Sequence, residues 1–308
     1  KDIQNDEQFI QLLEQVTHEL YNGHVTLNIS LYTSNRIIPS GQDIFVEKTG
    51  ERYFVSDVRK NSAAAAAGIE PGVEIGSLNG KTIESQIFKF LPKHTTAYTA
   101  EMYSYAANML LAGTWDKPRA ITIRKNGQEL TLIPKDSINS KTQSSLLDIR
   151  ILNDNIGYIR INNSLGQYSL IAEFDAALDK LINTKSIILD LTDTPGGGNT
   201  TVARGIMGRF TDKPLPYQKH RIEESDYGTV RNWVEYVSPR KSIYKNKLIV
   251  MVGHWTGSMG EGMAIGFDGM KRAKITGTRM AGLLGAIYTY QTENTKIAAR
   301  FLQKACTI

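Results

Sequence analysis

The sequence has one cysteine, no long apolar run and no block of like charge, and each shortage excludes a class of protein. The single cysteine, Cys306, cannot form a disulfide within the chain or supply a Cys-x-x-Cys redox or metal site. Its place close to the end of the chain also argues against a catalytic role. No stretch of about 18 apolar residues occurs, so we predict no membrane-spanning helix.

The charged residues also point away from nucleic acid. The net charge is +5, but the 36 Lys and Arg are scattered and form no basic arm with interleaved aromatic residues. We interpret them as solvated surface, and we predict no nucleic-acid partner, no metal site and no cofactor. Residues 1–7 are polar and lack the apolar core of a signal peptide.

The length of 308 residues favours two domains and a small cap. We predict an N-terminal cap over 1–40, a β-rich module over 41–136, a polar linker over 137–145 and an α/β core over 146–308. In the cap, apolar residues at helical spacing from Phe9 to Leu20 predict a helix, and the alternation from Val25 to Leu31 predicts a strand.

The module 41–136 has strong turn signals. Residues 67–81 (AGIEPGVEIGSLNGK) contain a Pro-Gly turn and an Asn-Gly turn. We predict a hairpin around Asn126-Gly127 and a helix over residues 96–112. The run 67–81 resembles a PDZ domain, a module that binds extended peptides by adding a strand to a sheet edge. The resemblance implies that Tyr53, Phe54 and Val55 bind the peptide. The alternative is a β-rich module without a ligand.

Strands and helices alternate through the core 146–308. We predict strands at 156–161, 186–191, 247–252 and 286–290, and helices at 170–182, 202–210 and 258–267. This alternation favours an α/β sheet with substantial parallel pairing.

A serine opens the helix that follows the third of these strands. Ser258 comes after a buried strand and a short loop, where unpaired backbone N–H groups and the helix dipole favour developing negative charge. Catalytic groups in α/β sheets collect beyond the carboxyl ends of strands. Ser258 is therefore a candidate nucleophile. The alternative is an ordinary helix N-cap, a common position for serine.

A glycine-rich loop follows the second strand. Residues 190–199 (DLTDTPGGGN) expose consecutive backbone N–H groups, which suits an oxyanion hole. A phosphate could use such a loop too, but the Walker pattern needs a lysine after its glycines, and here Asn199 follows Gly198.

Together these two segments resemble the tail-specific (C-terminal processing) serine protease superfamily. That family has an Asp-Leu-Arg-x-Asn-x-Gly-Gly loop and later a Thr-x-Ser-Ala-x-Glu helix start; here Thr192 replaces the arginine, and 256–261 read TGSMGE. The resemblance implies an α/β peptidase core of ClpP/crotonase-like layers, an N-terminal cap of helix and strand, and an inserted PDZ-like domain. It implies Ser258 as nucleophile, with oxyanion N–H donors at Met259 and at a glycine of 196–198, for which we name Gly196 and Gly197.

The general base departs from the usual pattern. In the Ser–Lys branch a lysine follows the later glycine turn, but Gly282 is followed by Leu283. A second branch, with the tricorn core protease and retinoid-binding-protein-like peptidases, takes a histidine from the N-terminal cap. The segment Asn22-Gly23-His24 resembles that motif, so the resemblance implies His24 as the base.

The third member of the triad stays open. Glu261 matches a recurring glutamate of the family motif, Glu293 is the alternative, and Ile308 comes early for a core in which an acid can lie further along. We predict a serine endopeptidase that hydrolyses extended or C-terminal peptide segments of a peptide or protein substrate. The alternative is a non-catalytic peptide- or ligand-binding protein on the same fold. The family implies an exported, periplasmic or envelope location, and oligomeric state is not indicated.

Overall fold

The computed structural model describes residues 3–95, 97–135, 145–291 and 293–307. The chain divides into two compact units, which we call unit 1 (Lys1–Ser140 and Tyr288–Phe301) and unit 2 (Lys141–Ile287 and Leu302–Ile308). Nearly all of the predicted linker 137–145 lies outside the described residues. Throughout the ranges that are described, every helix is too short or too polar to cross a membrane.

The helices and strands of the described residues are numbered in chain order. The α-helices are α1 (Asp6–His18), α2 (Ala63–Ala66), α3 (Glu84–Ile87), α4 (Ala100–Ala112), α5 (Leu170–Leu181), α6 (Thr200–Met207) and α7 (Met259–Gly269). The strands of the first half are β1 (Thr26–Leu27), β2 (Ile44–Thr49), β3 (Arg52–Val58), β4 (Glu74–Leu78), β5 (Lys81–Thr82), β6 (Ile121–Lys125), β7 (Gln128–Leu132) and β8 (Leu147–Leu152). Those of the second half are β9 (Ile156–Ile161), β10 (Ser186–Asp190), β11 (Asp193–Thr194), β12 (Leu215–Glu224), β13 (Thr229–Val237), β14 (Lys247–Val252), β15 (Trp255–Thr256), β16 (Lys274–Gly277), β17 (Ala286–Gln291) and β18 (Ala298–Thr307).

Unit 1 is built on an antiparallel sheet in the order β2-β3-β4-β6-β7, with β5 paired to β4. The predicted hairpin is confirmed, since Asn126 and Gly127 connect β6 and β7 with the positive φ that a tight turn needs. Helix α4 packs along β2 and buries its last seven residues. Its core is apolar and includes Val46, Val55 and Leu111.

The cap strand is shorter than the alternation from Val25 to Leu31 predicts. Only β1 pairs, through Thr26 and Leu27, with the first part of β18. The chain then turns, because the Ser34 N–H donates to the Leu31 carbonyl and the Ser34 Oγ accepts the Leu31 N–H. The Ser34 side chain thus closes a local turn in place of the strand pairing that was predicted here. The alternation of apolar residues in the sequence does not distinguish the two.

Unit 2 contains the predicted parallel sheet. Its order is β16-β14-β10-β9-β8, with β9, β10, β14 and β16 parallel and β8 antiparallel to β9. Helices α5, α6 and α7 lie in the connections, and the core between helices and sheet is apolar. The carboxyl ends of β10 and β14 are therefore neighbours, which brings the segments that follow them to one edge.

A long hairpin in unit 2 was not predicted from the sequence. Strands β12 and β13 pair antiparallel over nine residue pairs, and β12 packs against α7. Two glycines of α7 make this close packing possible: a Cβ on Gly262 would lie 2.4 Å from Gln218 Nε2, and one on Gly266 would lie 3.1 Å from the Tyr217 ring. Helix α7 is thus held on its sheet side and on its hairpin side.

Candidate active site

A short parallel ladder in unit 2 joins the glycine loop to the serine segment. Strand β11 pairs with β15 through Asp193 with Trp255 and Thr194 with Thr256. The Thr256 Oγ1 donates to the Leu191 carbonyl at 2.8 Å, and the Gly257 N–H donates to the Thr194 carbonyl at 3.3 Å. The two segments that the sequence singled out therefore lie side by side.

The backbone of Ser258 differs from that of the other polar residues that open helices. The N-caps of α1, α2, α4 and α6 all have extended backbone and accept a hydrogen bond from the helix; they are Asn5, Ser62, Thr99 and Asn199. Ser258 forms a capping box with Glu261, but its backbone is different, with φ 51° and ψ −112°. A non-glycine residue in such a region costs on the order of 1–3 kcal/mol, and this kind of strain concentrates at functional sites. An N-cap role alone does not require this conformation.

Gly197 lies directly against the serine. A Cβ at this position would come within 2.5 Å of the Ser258 Cβ and 2.9 Å of its Oγ, and the φ of Gly197 is +63°. Only glycine satisfies both the contact and the backbone conformation. The glycine loop is therefore part of the immediate surroundings of the Ser258 hydroxyl.

We expect Gly197→Ala to lower kcat/KM for a peptide substrate by about 100-fold or more, because the new methyl displaces either the serine or the loop. The melting temperature is expected to fall by several degrees. Gly228→Ala is the matched control: Gly228 has φ +62°, but no atom lies within 4 Å of an added Cβ. Equal effects of the two substitutions would show that backbone strain, and not contact with Ser258, is responsible.

The backbone N–H groups of the loop are not equally available. The Gly196 N–H donates to Asn163 Oδ1 at 2.7 Å, and the Gly197 N–H donates to the Thr194 carbonyl at 3.2 Å. Among the described residues, the N–H groups of Gly198 and Met259 have no acceptor. Of the predicted oxyanion donors, Gly196 and Gly197 therefore use their N–H groups on Asn163 and Thr194. The free N–H groups belong to the third predicted donor, Met259, and to Gly198.

Glu261 connects the helix start to the loop after β16. Its Oε2 accepts the N–H groups of Ser258 at 3.0 Å and Leu283 at 2.6 Å, and its Oε1 accepts the Gly282 N–H at 2.9 Å. Burial raises the pKa of this carboxyl, against the opposing effect of these three donors. Both oxygens bind backbone in unit 2, an arrangement that suits a bracing role.

We expect Glu261→Gln to lower kcat about tenfold and to reduce the melting temperature, because an amide NH₂ would replace one acceptor and face N–H donors. Thermal unfolding and peptide hydrolysis measure the two effects. Glu173→Gln is the control, since Glu173 is also in the first turn of a helix but is exposed. A Glu261 variant as stable and active as the control would contradict the bracing role.

Thr192, which replaces the arginine of the family motif, caps the end of β10. Its N–H and Oγ1 both donate to Asp190 Oδ1, at 2.8 and 2.6 Å, and Tyr158 donates to the other oxygen of the same carboxylate. Nearby, Arg160 pairs with Asp193 at 2.9 Å. These bonds fix the entrance of the glycine loop without an arginine at position 192.

His24 lies in unit 1, in the turn that precedes β1. The turn is closed by Asn22, whose carbonyl accepts the Val25 N–H and whose Oδ1 accepts the His24 N–H at 2.9 Å. The imidazole is buried, and its Nδ1 has no hydrogen-bond partner in the described part of the chain. Burial lowers the pKa of His24 below its ordinary value of 6.5, which favours the neutral form that a base needs.

The residues predicted to bind peptide, Tyr53, Phe54 and Val55, lie on β3. This strand is interior, with β2 on one side and β4 on the other, and the side chains of Tyr53 and Val55 are buried. An added peptide strand therefore has no free edge at these residues. The edge next to them is β2.

On β2, the backbone groups of Val46 already have partners. The Asn108 side chain from α4 accepts the Val46 N–H and donates to the Val46 carbonyl, each at 2.9 Å, and Gln42 donates to the same Asn108 oxygen. Asn108 thus makes the pair of bonds that a strand added at this edge would make with Val46.

Comparison with known proteins agrees with the mixed α/β fold. Residues 155–304 match the family described as Peptidase family S41, and this range contains both the glycine loop and Ser258. No curated protein sequence matches the chain.

Three solved structures share the fold. The photosystem II D1 C-terminal processing protease is 14% identical, with a TM-score of 0.60 over 100% of this chain and 79% of that one. A mutant of CPAF is 13% identical, with a TM-score of 0.66 over 99% and 81%. A candidate peptidase from Parabacteroides merdae is 13% identical, with a TM-score of 0.54 over 99% and 72%.

Proposed function

We propose that the chain is a serine-type peptidase that cleaves extended or C-terminal peptide segments through an acyl-enzyme on Ser258. The match of residues 155–304 to Peptidase family S41 supports this proposal. The observation that carries the proposal is the strained backbone of Ser258 beside Gly197 at the start of α7. An exposed helix cap needs neither the strain nor the contact. The mixed α/β fold predicted from the sequence is confirmed, and the predicted family agrees with the match of residues 155–304.

The chemistry follows from these groups. The Ser258 Oγ attacks the peptide carbonyl carbon as its proton moves to the base, and the carbonyl oxygen becomes negative. The free N–H groups of Met259 and Gly198 stabilise that oxygen. The base then protonates the leaving amine, the C–N bond breaks, and water hydrolyses the acyl-serine by the same steps.

We assign the base to His24 and propose no acid with it. Support comes from its neutral, buried imidazole with an unpartnered Nδ1, and from the family motif at 22–24. The second predicted member, Glu261, already accepts three backbone N–H groups, so we give it the bracing role.

We further propose that the sheet of residues 41–136 is PDZ-like and that its peptide-binding edge is β2. The order β2-β3-β4-β6-β7 and the position of α4 along β2 support this assignment. Because Asn108 holds the backbone of Val46, a peptide must first displace that side chain to add a full strand.

The proposed function is tested by a paired substrate assay. Quenched fluorescent peptides of one sequence, one with a free C-terminal carboxylate and one amidated, are incubated with the wild type and with Ser258→Ala. We expect cleavage by the wild type alone, faster for the free carboxylate. Equal rates would remove the C-terminal preference, and no cleavage by a folded wild type would remove the peptidase proposal.

A further inference from the structure

Gly197, which lies against Ser258, belongs to a run of three consecutive glycines that needs an external anchor. Glycine has the largest conformational freedom of any residue, so a Gly-Gly-Gly loop does not hold its N–H groups in one direction by itself. Electrostatic stabilisation of an oxyanion depends on donors that are fixed before the reaction. The structure therefore has to supply a group that immobilises residues 196–198.

Asn163, in the loop after β9, contacts this segment directly. Its Oδ1 accepts the Gly196 N–H at 2.7 Å, and a Cβ on Gly196 would lie 2.9 Å from the same oxygen. The backbone N–H of Asn163 donates to the Asp193 carbonyl at 3.0 Å. Asn163 thus contacts the glycine loop at two points, one on each side of Pro195.

The loop that carries Asn163 is itself held firmly. The Asn162 N–H and the Ser164 Oγ both donate to the Leu146 carbonyl, at 3.0 and 2.7 Å, and Ser164 is buried. On the other side, the Leu165 carbonyl accepts the Asn199 N–H at 3.2 Å. The backbone on both sides of Asn163 is therefore held in place by hydrogen bonds.

The backbone of Asn163 explains the residue type. Its φ is 51°, in the left-handed region that asparagine adopts more readily than most side chains. The position needs a short side-chain acceptor and a left-handed backbone together. Glycine would meet only the backbone requirement. Glutamine and leucine would meet neither requirement, since glutamine has a longer side chain and leucine has no acceptor.

We propose that Asn163 is a positioning residue of the oxyanion site. By accepting the Gly196 N–H it fixes the glycine loop with the Gly198 N–H, the free donor of the loop, toward the oxyanion. The inference rests on the proposed function for its catalytic consequence. The fixing of the loop does not depend on that function.

Two substitutions separate the acceptor from the backbone. Asn163→Gly keeps the left-handed conformation and removes the acceptor, whereas Asn163→Asp keeps both. We expect Asn163→Gly to lower kcat about 10- to 100-fold with KM within threefold, since a displaced donor acts on the transition state. We expect the kcat of Asn163→Asp to lie between that of Asn163→Gly and that of the wild type. The aspartate carboxylate can accept the Gly196 N–H, but its negative charge opposes the negative oxyanion.

The control and the second readout make the test decisive. Asn126→Gly replaces another left-handed asparagine, in the exposed turn between β6 and β7, and should leave kcat unchanged. Hydrogen–deuterium exchange over 196–198 should be faster in Asn163→Gly than in the wild type, whether or not the protein cleaves peptides. Equal exchange, or a kcat of Asn163→Gly within twofold of the wild type, would overturn the inference; a folded wild type without any turnover would overturn the proposed function instead.

Discussion

Replacing Ser258 with alanine is expected to lower kcat/KM for peptide hydrolysis by at least about 10⁴-fold, with little change in KM. The loss is large because the hydroxyl is the only group in this account that forms a bond to the substrate. Residual activity would come from binding and from the oxyanion donors. The measurement is steady-state hydrolysis of a fluorescent peptide.

The stability of the Ser258 variant matters to this interpretation. Alanine keeps the Cβ that contacts Gly197, so we expect the fold and the melting temperature to change little. Ser242→Ala is a matched control, because Ser242 also has a left-handed backbone, at φ 58°, but is exposed in unit 2. Activity loss in both variants would point to a general effect of serine removal at strained positions.

Replacing His24 with alanine is expected to lower kcat/KM about 10²- to 10⁴-fold, the range in which general-base catalysis contributes. The wild-type rate should fall as pH decreases through the pKa of His24, because only the neutral imidazole accepts the serine proton. Burial lowers that pKa below 6.5, so the wild-type rate should stay level from neutral pH down to below 6.5.

In His24→Ala this acidic limb should disappear, since the group that titrates is gone. His94→Ala serves as the control, because His94 is also in unit 1 but its side chain is largely exposed. Its Nδ1 lies 3.7 Å from Glu19 Oε2. A His24 variant that keeps the acidic limb, or that loses no more activity than the control, would remove His24 from the base role.

Much of unit 2 could be predicted from the sequence. The strands Ile156–Ile161 and Lys247–Val252 have the predicted bounds. In the second strand, five apolar residues follow Lys247, a run that is typical of strands covered on both faces. The meeting of the glycine loop and Ser258 was also predictable, since both follow strands of one parallel sheet.

Other features depend on contacts between distant parts of the chain. The Gly196 N–H is taken up by Asn163, which lies 33 positions before it and carries no motif beyond an asparagine-rich turn after a strand. The interior place of Tyr53, Phe54 and Val55 follows from strand order, which turn signals do not give. Asn108, which binds the backbone of the neighbouring edge strand β2, lies on helix α4. The sequence of this helix is typical of a buried core helix and gives no sign of that contact.

The most direct test of the central claim is the site of reaction with a fluorophosphonate, which traps activated serines. The protein is labelled, its intact mass is measured, and the modified residue is located by peptide mapping. We expect a single adduct on Ser258, absent from Ser258→Ala and retained in Ser242→Ala. A folded wild type that forms no adduct, or one that carries it on another serine, would contradict the assignment of Ser258 as the nucleophile.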